Sequence, residues 1–488
     1  MQTLLFWISI IGAIVYRFWL WDVFAGWEES DYGNIAMVRG VFESGFRSFD
    51  MNHMPGYYGF SALILWLYDD AVVAGKLAAT LSGAGSIIGI AWIMKYMAGT
   101  IAATLLVLLL MFQPEFSLYS ASALREPMYT LFVIGVLICA LKERWWLLGI
   151  CASLSFLVRF EFPLVCIPLL FLLVSRYGYK IVPKIAIPLV CTILVWVAYC
   201  WNTYETVAFW SHAASTNIET GMGGEAISRW DWCMRGIDII SSLLFYLLPS
   251  RLGWLIFVGW ILSPFFMQKE SRGWLVLGLS YGAVGVWLLI AFIAQHDANH
   301  NLYWKWMYPL IPLVGFCGVW TWWRWLSTHS NLIQGLAWIG IFMITIPMQW
   351  VQAEQQIERA DRLYRPQLEL AVMLEREVPP DQLLLVDNIP ACWMNRTIHE
   401  RRLISWFDVP VSKNNPREFA RWLQEENVWG VLWFQETWTQ APIIAPFLQY
   451  GGVWNQGDET LKEEAREDEY GWIFYKRMIS SSSIEVRP

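Results

Sequence analysis

Charge is what this sequence has least of. Asp, Glu, Lys and Arg make up 15% of its 488 residues, against about 25% in an ordinary soluble chain, which argues against a cytosolic enzyme. No long basic run accompanies the formal net charge of −7, so nucleic acid is not an expected partner. The eight cysteines fall mostly inside apolar runs. With no CxxC and no Cys/His spacing suited to zinc, neither a disulfide scaffold nor a metal finger is indicated. The apolar N-terminus has no basic n-region and no small-residue cleavage site, and reads as a retained first span. Also missing are a repeat of solenoid period and, in residues 351–488, a Gly-rich phosphate loop and a GxSxG elbow.

What fills the chain instead is apolar: 57% hydrophobic residues and 33 tryptophans. The sparse charge is unevenly placed, with 38 charged residues in 1–350 and 37 in the much shorter 351–488. Residues 1–350 therefore read as a membrane domain and 351–488 as a water-soluble one. A helix needs roughly 20 apolar residues to cross a bilayer core of about 30 Å. By that measure the chain holds about eleven spans, near 3–20, 72–97, 99–116, 124–141, 145–159, 160–176, 181–203, 237–262, 273–295, 304–326 and 332–350. The apolar stretch 58–68 is short and reads as an interfacial or re-entrant helix. With the N-terminus inside, the inner loops carry nine bases against Glu143 and Glu270, in keeping with the positive-inside rule. The outer loops 21–57 and 205–236, and the domain after residue 350, then lie on the extracytoplasmic side.

Beyond the last span, 351–378 reads as a polar helical connector. Short apolar runs at Leu383–Val386, Leu403–Phe407, Val431–Phe434 and Trp472–Tyr475 suit buried strands. Asn415-Pro416-Arg417-Glu418 reads as a helix start. Strand–helix–strand alternation favours a parallel sheet in a small α/β domain, and the acidic segment Asp458–Glu469 reads as a solvated loop.

The charged residues that do occur in 1–350 gather towards the outer side. The first outer loop carries Glu28, Glu29 and Asp31, three carboxylates within four residues, followed by His53 and Tyr57. Such a cluster suits a general base or a metal ligand; a solvated loop is the plain alternative. Glu115 follows Gln113-Pro114, Arg125-Glu126 opens a span, and Arg159 and Glu161 interrupt a strongly apolar stretch. His300 and Lys305 precede Tyr308-Pro309. Ionisable residues in spans usually face the bundle interior, although cations near helix ends can snorkel. Carboxylates and cations on one membrane face suit a reaction in which a hydroxyl attacks and a phosphate leaves.

In order and sidedness these segments resemble the C-type (GT-C) membrane glycosyltransferases, in particular the protein O-mannosyltransferase and aminoarabinose transferase-like branch. The segments are Glu28 to Tyr32 with Ile35-Ala36, His53-Met54-Pro55-Gly56-Tyr57-Tyr58, Gly75-Lys76-Leu77, Arg125-Glu126, Arg159-Phe160-Glu161 and Tyr308-Pro309-Leu310-Ile311-Pro312. The resemblance implies a polytopic helical bundle with a C-terminal α/β domain. It also implies inverting transfer of a sugar from a polyprenyl-phosphate donor to a hydroxyl acceptor, in a membrane of the bacterial inner-membrane kind. The base would be one of Glu28, Glu29 or Asp31. Glu28 and Glu29 stand where the branch has an Asp-Glu pair, and Asp31 directly precedes Tyr32. Arg159, Lys305 and Arg125 would bind the donor phosphate. His53, Tyr57, Glu115, Glu126, Glu161 and His300 would meet sugar or acceptor, and a divalent Mg²⁺ or Ca²⁺ is a further expectation. His53-Met54-Pro55-Gly56 replaces the Lys-Pro-Pro of the aminoarabinose transferases, and Lys305 stands where relatives often carry Arg. The rival readings are a lipid or glycan transporter, an O-antigen ligase-like enzyme, and a membrane scaffold without chemistry.

Overall fold

Apolar sequence becomes helix over most of the chain in a computed structural model. It describes residues 2–24, 26, 29–48, 54–160, 162–205, 234, 236–238, 241, 253–267, 273–294, 308, 310–379, 382–386, 403–405, 409, 416–434, 453–456, 459–467 and 472–479. Two compact units are present, one of Met1–Phe24 and Met37–Ile357, the other of Ala25–Ala36 and Glu358–Pro488.

The first unit is all helix. In order come α1 (Gln2–Val23), α2 (Glu29–Ser44, shared by both units), α3 (Pro55–Tyr68), α4 (Ala71–Ala98), α5 (Thr100–Phe112), α6 (Pro114–Ala121) and α7 (Glu126–Leu141). Then follow α8 (Trp145–Val158), α9 (Phe162–Tyr177), α10 (Val182–Tyr204), α11 (Trp254–Met267), α12 (Gly273–Ala294), α13 (Leu310–Leu326) and α14 (Asn331–Glu377, also shared by both units). Among the described residues, α1, α4, a helix over Tyr179–Thr203 and the start of α14 are long and apolar enough to cross a membrane alone, and shorter apolar helices accompany them.

Helix α4 packs against α3, α5, α6 and α7. Its buried positions are largely small, Ala74, Ala78, Ala79, Gly83, Ser86 and Ala91 among them, which lets neighbouring backbones approach closely. A Cβ at Gly83 would collide with the side chain of Ser120 on α6. The Asp70 side chain caps the start of α4, accepting from the amides of Val72 and Val73 at 2.8 and 3.0 Å. At its far end Gly99 turns the chain with φ +92°.

Two expectations about this unit change. The span at 99–116 is not one rod: α5 and α6 meet at a 67° bend. Pro114 disfavours helical backbone at Gln113, which is extended (φ −69°, ψ 116°), and α6 restarts with Pro at its N-terminus. The polar connector is not separate from the last span, because α14 runs unbroken through 47 residues. In the expected span 237–262 the helix described is α11, ending at Met267; 242–252 lie outside the described residues.

The second unit holds a six-stranded sheet in the order β2-β1-β3-β6-β5-β4. Its strands are β1 (Leu383–Val386), β2 (Leu403–Ser405), β3 (Val428–Phe434), β4 (Val453–Gln456), β5 (Glu459–Glu467) and β6 (Trp472–Ile479), with helix α15 at Pro416–Glu425. Pairing is parallel among β2, β1 and β3 and antiparallel from β3 through β6 and β5 to β4. The sheet is therefore mixed, not parallel throughout. The acidic segment expected as a loop is β5, paired along its length with β6: backbone pairing overrides the low strand propensity of its glutamates. Leu384, Leu385, Phe419, Trp422, Leu423, Val431 and Leu432 form the buried core.

Candidate active site

Three of the residues singled out from the sequence come together where α7 begins and α8 ends. Arg125 precedes α7, Glu126 occupies its first turn ahead of Pro127, and Arg159 follows α8 in extended conformation (φ −146°, ψ 123°). Arg159 Nη1 donates to Glu126 Oε1, and Arg125 Nε lies 3.9 Å from the same oxygen. Arg159 and Glu126 are buried, 5% and 1% exposed, and Arg125 is 20% exposed. A carboxylate suits the start of a helix, and here it also orients Arg159. Two guanidinium groups thus gather at one carboxylate in a largely desolvated setting, where charge-assisted bonds to an anion are strong.

Beside this cluster runs an apolar groove of about 280 Å³ between α3, α4, α7 and α8. Gly56, Met128 and Val158 line it, with Val158 adjoining Arg159 in the chain and Met128 two residues from Glu126. Phe60, Leu81 and Leu154 line it too and are 41%, 48% and 37% exposed. Gly56 keeps the groove wall close: a Cβ there would stand 2.8 Å from the carbonyl oxygen of Leu157.

Glu115 sits at the α5/α6 bend, buried and 2% exposed. Gln113 donates to it from Nε2 while its Oε1 accepts from the Phe116 amide, and Gln356 Nε2 reaches Glu115 Oε1 at 3.4 Å. Tyr57 is fully buried, and its hydroxyl donates to the Gly75 carbonyl at 2.9 Å. Lys76 Nζ reaches the carbonyls of Trp21 and Phe24 at 3.4 Å each, a cation at the C-terminal end of α1 as the helix dipole favours.

Glu28, His53, Glu161, His300 and Lys305 lie outside the described residues; of Glu29 and Asp31, only the backbone of α2 is described. No group of three or more His, Cys, Asp or Glu side chains gathers as a metal site among the described residues.

The residue that sequence reasoning passed over is Arg17. It is fully buried in α1, donates from Nη1 to the Ala13 carbonyl at 2.8 Å and lies over the Phe116 ring at 5.2 Å. Its Nε and Nη2 have no hydrogen-bond partner. Phe116 also stacks on Tyr308, with ring centroids 5.1 Å apart. The Tyr308 hydroxyl donates to the Phe116 carbonyl at 2.8 Å and lies 2.8 Å from Ser120 Oγ. This ties Tyr308, two residues ahead of α13, to α6. The signal for Arg17 was present, the one basic residue of an apolar helix, six residues from its end, but such a cation can equally snorkel to the surface.

No protein-family model matches the chain, and no curated protein sequence does. Solved structures do match. ArnT from Cupriavidus metallidurans bound to undecaprenyl phosphate is similar over 97% of this chain and 98% of its own, with a TM-score of 0.59 at 12% identity. The same protein in the apo state gives 0.58 at 13% identity, over 96% and 97%. The Archaeoglobus fulgidus oligosaccharyltransferase, in complex with Zn and sulfate, is similar over 91% of this chain and 71% of its own, with a TM-score of 0.53 at 11% identity. At such identities the likeness is one of fold. The chain has the GT-C fold expected from its sequence, a polytopic membrane bundle followed by an α/β domain.

Proposed function

We propose that the protein is an integral-membrane inverting glycosyltransferase, taking a sugar from a polyprenyl-phosphate donor to a hydroxyl of a lipid, glycan or protein. One observation carries this reading: the apolar groove, with exposed residues on its wall, runs beside the largely buried Arg125–Glu126–Arg159 cluster. An isoprenoid phosphate has an apolar tail and an anionic head, and needs those two surfaces side by side. The likeness of fold to ArnT, a protein solved with undecaprenyl phosphate bound, adds support.

In this reading the acceptor hydroxyl gives its proton to one carboxylate among Glu28, Glu29 and Asp31 as its oxygen attacks the anomeric carbon. The bond from that carbon to the phosphate oxygen breaks, the electron pair stays on polyprenyl phosphate, and the configuration at the anomeric carbon inverts. Arg159 and Arg125, with Lys305, offset the charge that develops on the leaving phosphate. His53, Tyr57, Glu115, Glu126, Glu161 and His300 are the candidates to meet sugar or acceptor. The site and the α/β domain face the periplasm or lumen of a bacterial inner-membrane-type bilayer.

A transporter is the rival that one feature favours, because broken helices are common in transporters. The bent pair α5/α6 is a single instance among the described residues, with no counterpart in a second half.

The test is transfer of label from a panel of radiolabelled polyprenyl-phosphate sugars to membrane extract by purified protein. Wild type moves label. Glu28→Gln, Glu29→Gln and Asp31→Asn, made singly, identify the base; full activity in all three removes it from this loop. Arg159→Ala weakens donor binding by about tenfold or more, the loss of one charge-assisted hydrogen bond. Unchanged donor affinity removes Arg159 from the phosphate site.

A further inference from the structure

Thr345, Gln349, Gln352 and Gln356 recur at intervals of four, three and four, which puts them on one face of α14. Amides on a membrane helix are tolerated where the bundle supplies partners. Gln349 is 2% exposed, and neither its Oε1 nor its Nε2 has a hydrogen-bond partner. About 10 Å further along the helix, Gln356 donates to Glu115, while its own Oε1 is buried without a partner. Glu115 is held in turn by Gln113 at the α5/α6 bend. The Phe112 and Trp350 rings, 6.4 Å apart, pack α14 against the end of α5.

The vacancies have a definite chemical character. The Gln349 amide has a donor and an acceptor, each without a partner, Gln356 has an oxygen that needs a donor, and the carboxylate of Glu115 stands beside it. An anion fits badly, because Glu115 repels it and the amide oxygens cannot be satisfied by it. A hydroxyl both donates and accepts, so a run of hydroxyls satisfies every vacancy at once.

We propose that the Gln349–Gln356 face of α14, with Gln113 and Glu115, binds the hydroxyls of a carbohydrate. The proposal rests on the glycosyltransferase reading and assigns the neutral, polyhydroxyl part of a substrate to residues other than the Arg125–Glu126–Arg159 cluster. The carbohydrate is either the sugar of the lipid-linked donor or a glycan acceptor.

The experiment uses full-length protein in a sugar-free detergent and three probes: undecaprenyl phosphate, undecaprenyl phosphate carrying one hexose from a panel of hexoses, and a short-chain alkyl maltoside. Gln349→Met and Gln356→Met keep length and shape but remove the amide. Each variant is expected to lower the affinity for at least one carbohydrate-bearing probe by about fivefold to tenfold, the loss of one hydrogen bond, with affinity for the bare lipid phosphate unchanged. The probe affected identifies the source, donor sugar or acceptor glycan. Unchanged affinity for both carbohydrate probes in both variants overturns the proposal, and so does an equal loss for the bare lipid. Wild-type protein that ignores the bare lipid phosphate counts against the donor reading alone, since the maltoside still tests this face. Because the Gln349 amide makes no bond in the free protein, Gln349→Met should melt no lower than wild type. Gln356→Glu, which keeps an acceptor but loses the donor to Glu115, gives a second test at the same position by the same binding assay.

Discussion

Two junctions of the membrane unit bury a guanidinium group, and they hold it in different ways. Where α7 meets α8, Arg159 donates to the carboxylate of Glu126, with Arg125 at 3.9 Å from the same oxygen. Where α1 meets α6, Arg17 has a backbone carbonyl of its own helix and the face of Phe116, with two nitrogens left over. A carboxylate partner gives a buried cation directional bonds that an incoming anion can share or replace. An aromatic face gives it a weaker, less directional hold. The first arrangement suits a site that exchanges ligands; the second fixes one helix against its neighbour.

The contrast can be broken by mutation. Glu126→Gln should have the largest effect, since it takes the charge from one partner of a buried ion pair. Removing one partner of a buried pair costs about 3–5 kcal/mol, read as a lower melting temperature in detergent; an unchanged melt would mean that the pair adds nothing to the fold. Tyr308→Phe keeps the stack on Phe116 and loses the hydroxyl that joins Phe116 O and Ser120 Oγ. Its cost should be smaller, about 1–3 kcal/mol in the same measurement. Arg17→Met should have the smallest effect. It removes an uncompensated charge at similar volume, so stability should stay within about 1 kcal/mol of wild type or rise. A loss as large as that of Glu126→Gln would erase the distinction between the two junctions.

Most of the helical frame was legible before any coordinates. The expected limits 72–97, 124–141, 145–159 and 181–203 fall within a residue or two of α4, α7, α8 and α10, because hydropathy and end signals are local. The break at Gln113-Pro114 was also written in the chain. A Pro in an apolar run permits either a kink or a fresh start, and packing of α6, buried along its whole length, selected the second. Strand β5 is not legible in the sequence because its glutamates hide the partners that β6 and β4 supply on either side. At the site, charge type was readable for Arg125, Glu126 and Arg159, but their meeting was not. Glu126 and Arg159 are 33 residues apart, and nothing local encodes which acid a distant cation will meet. The amide face of α14 escaped notice for a related reason, since glutamines at the end of a span look like the start of a soluble connector.

Composition and periodicity by themselves determined that this chain is a bundle of apolar helices with a charged α/β appendage, because both follow from how each segment partitions between water and lipid. Which charges share a pocket, which amides are left without partners and where a span bends depended on contacts between segments far apart in sequence. Those contacts are settled only when the helices pack.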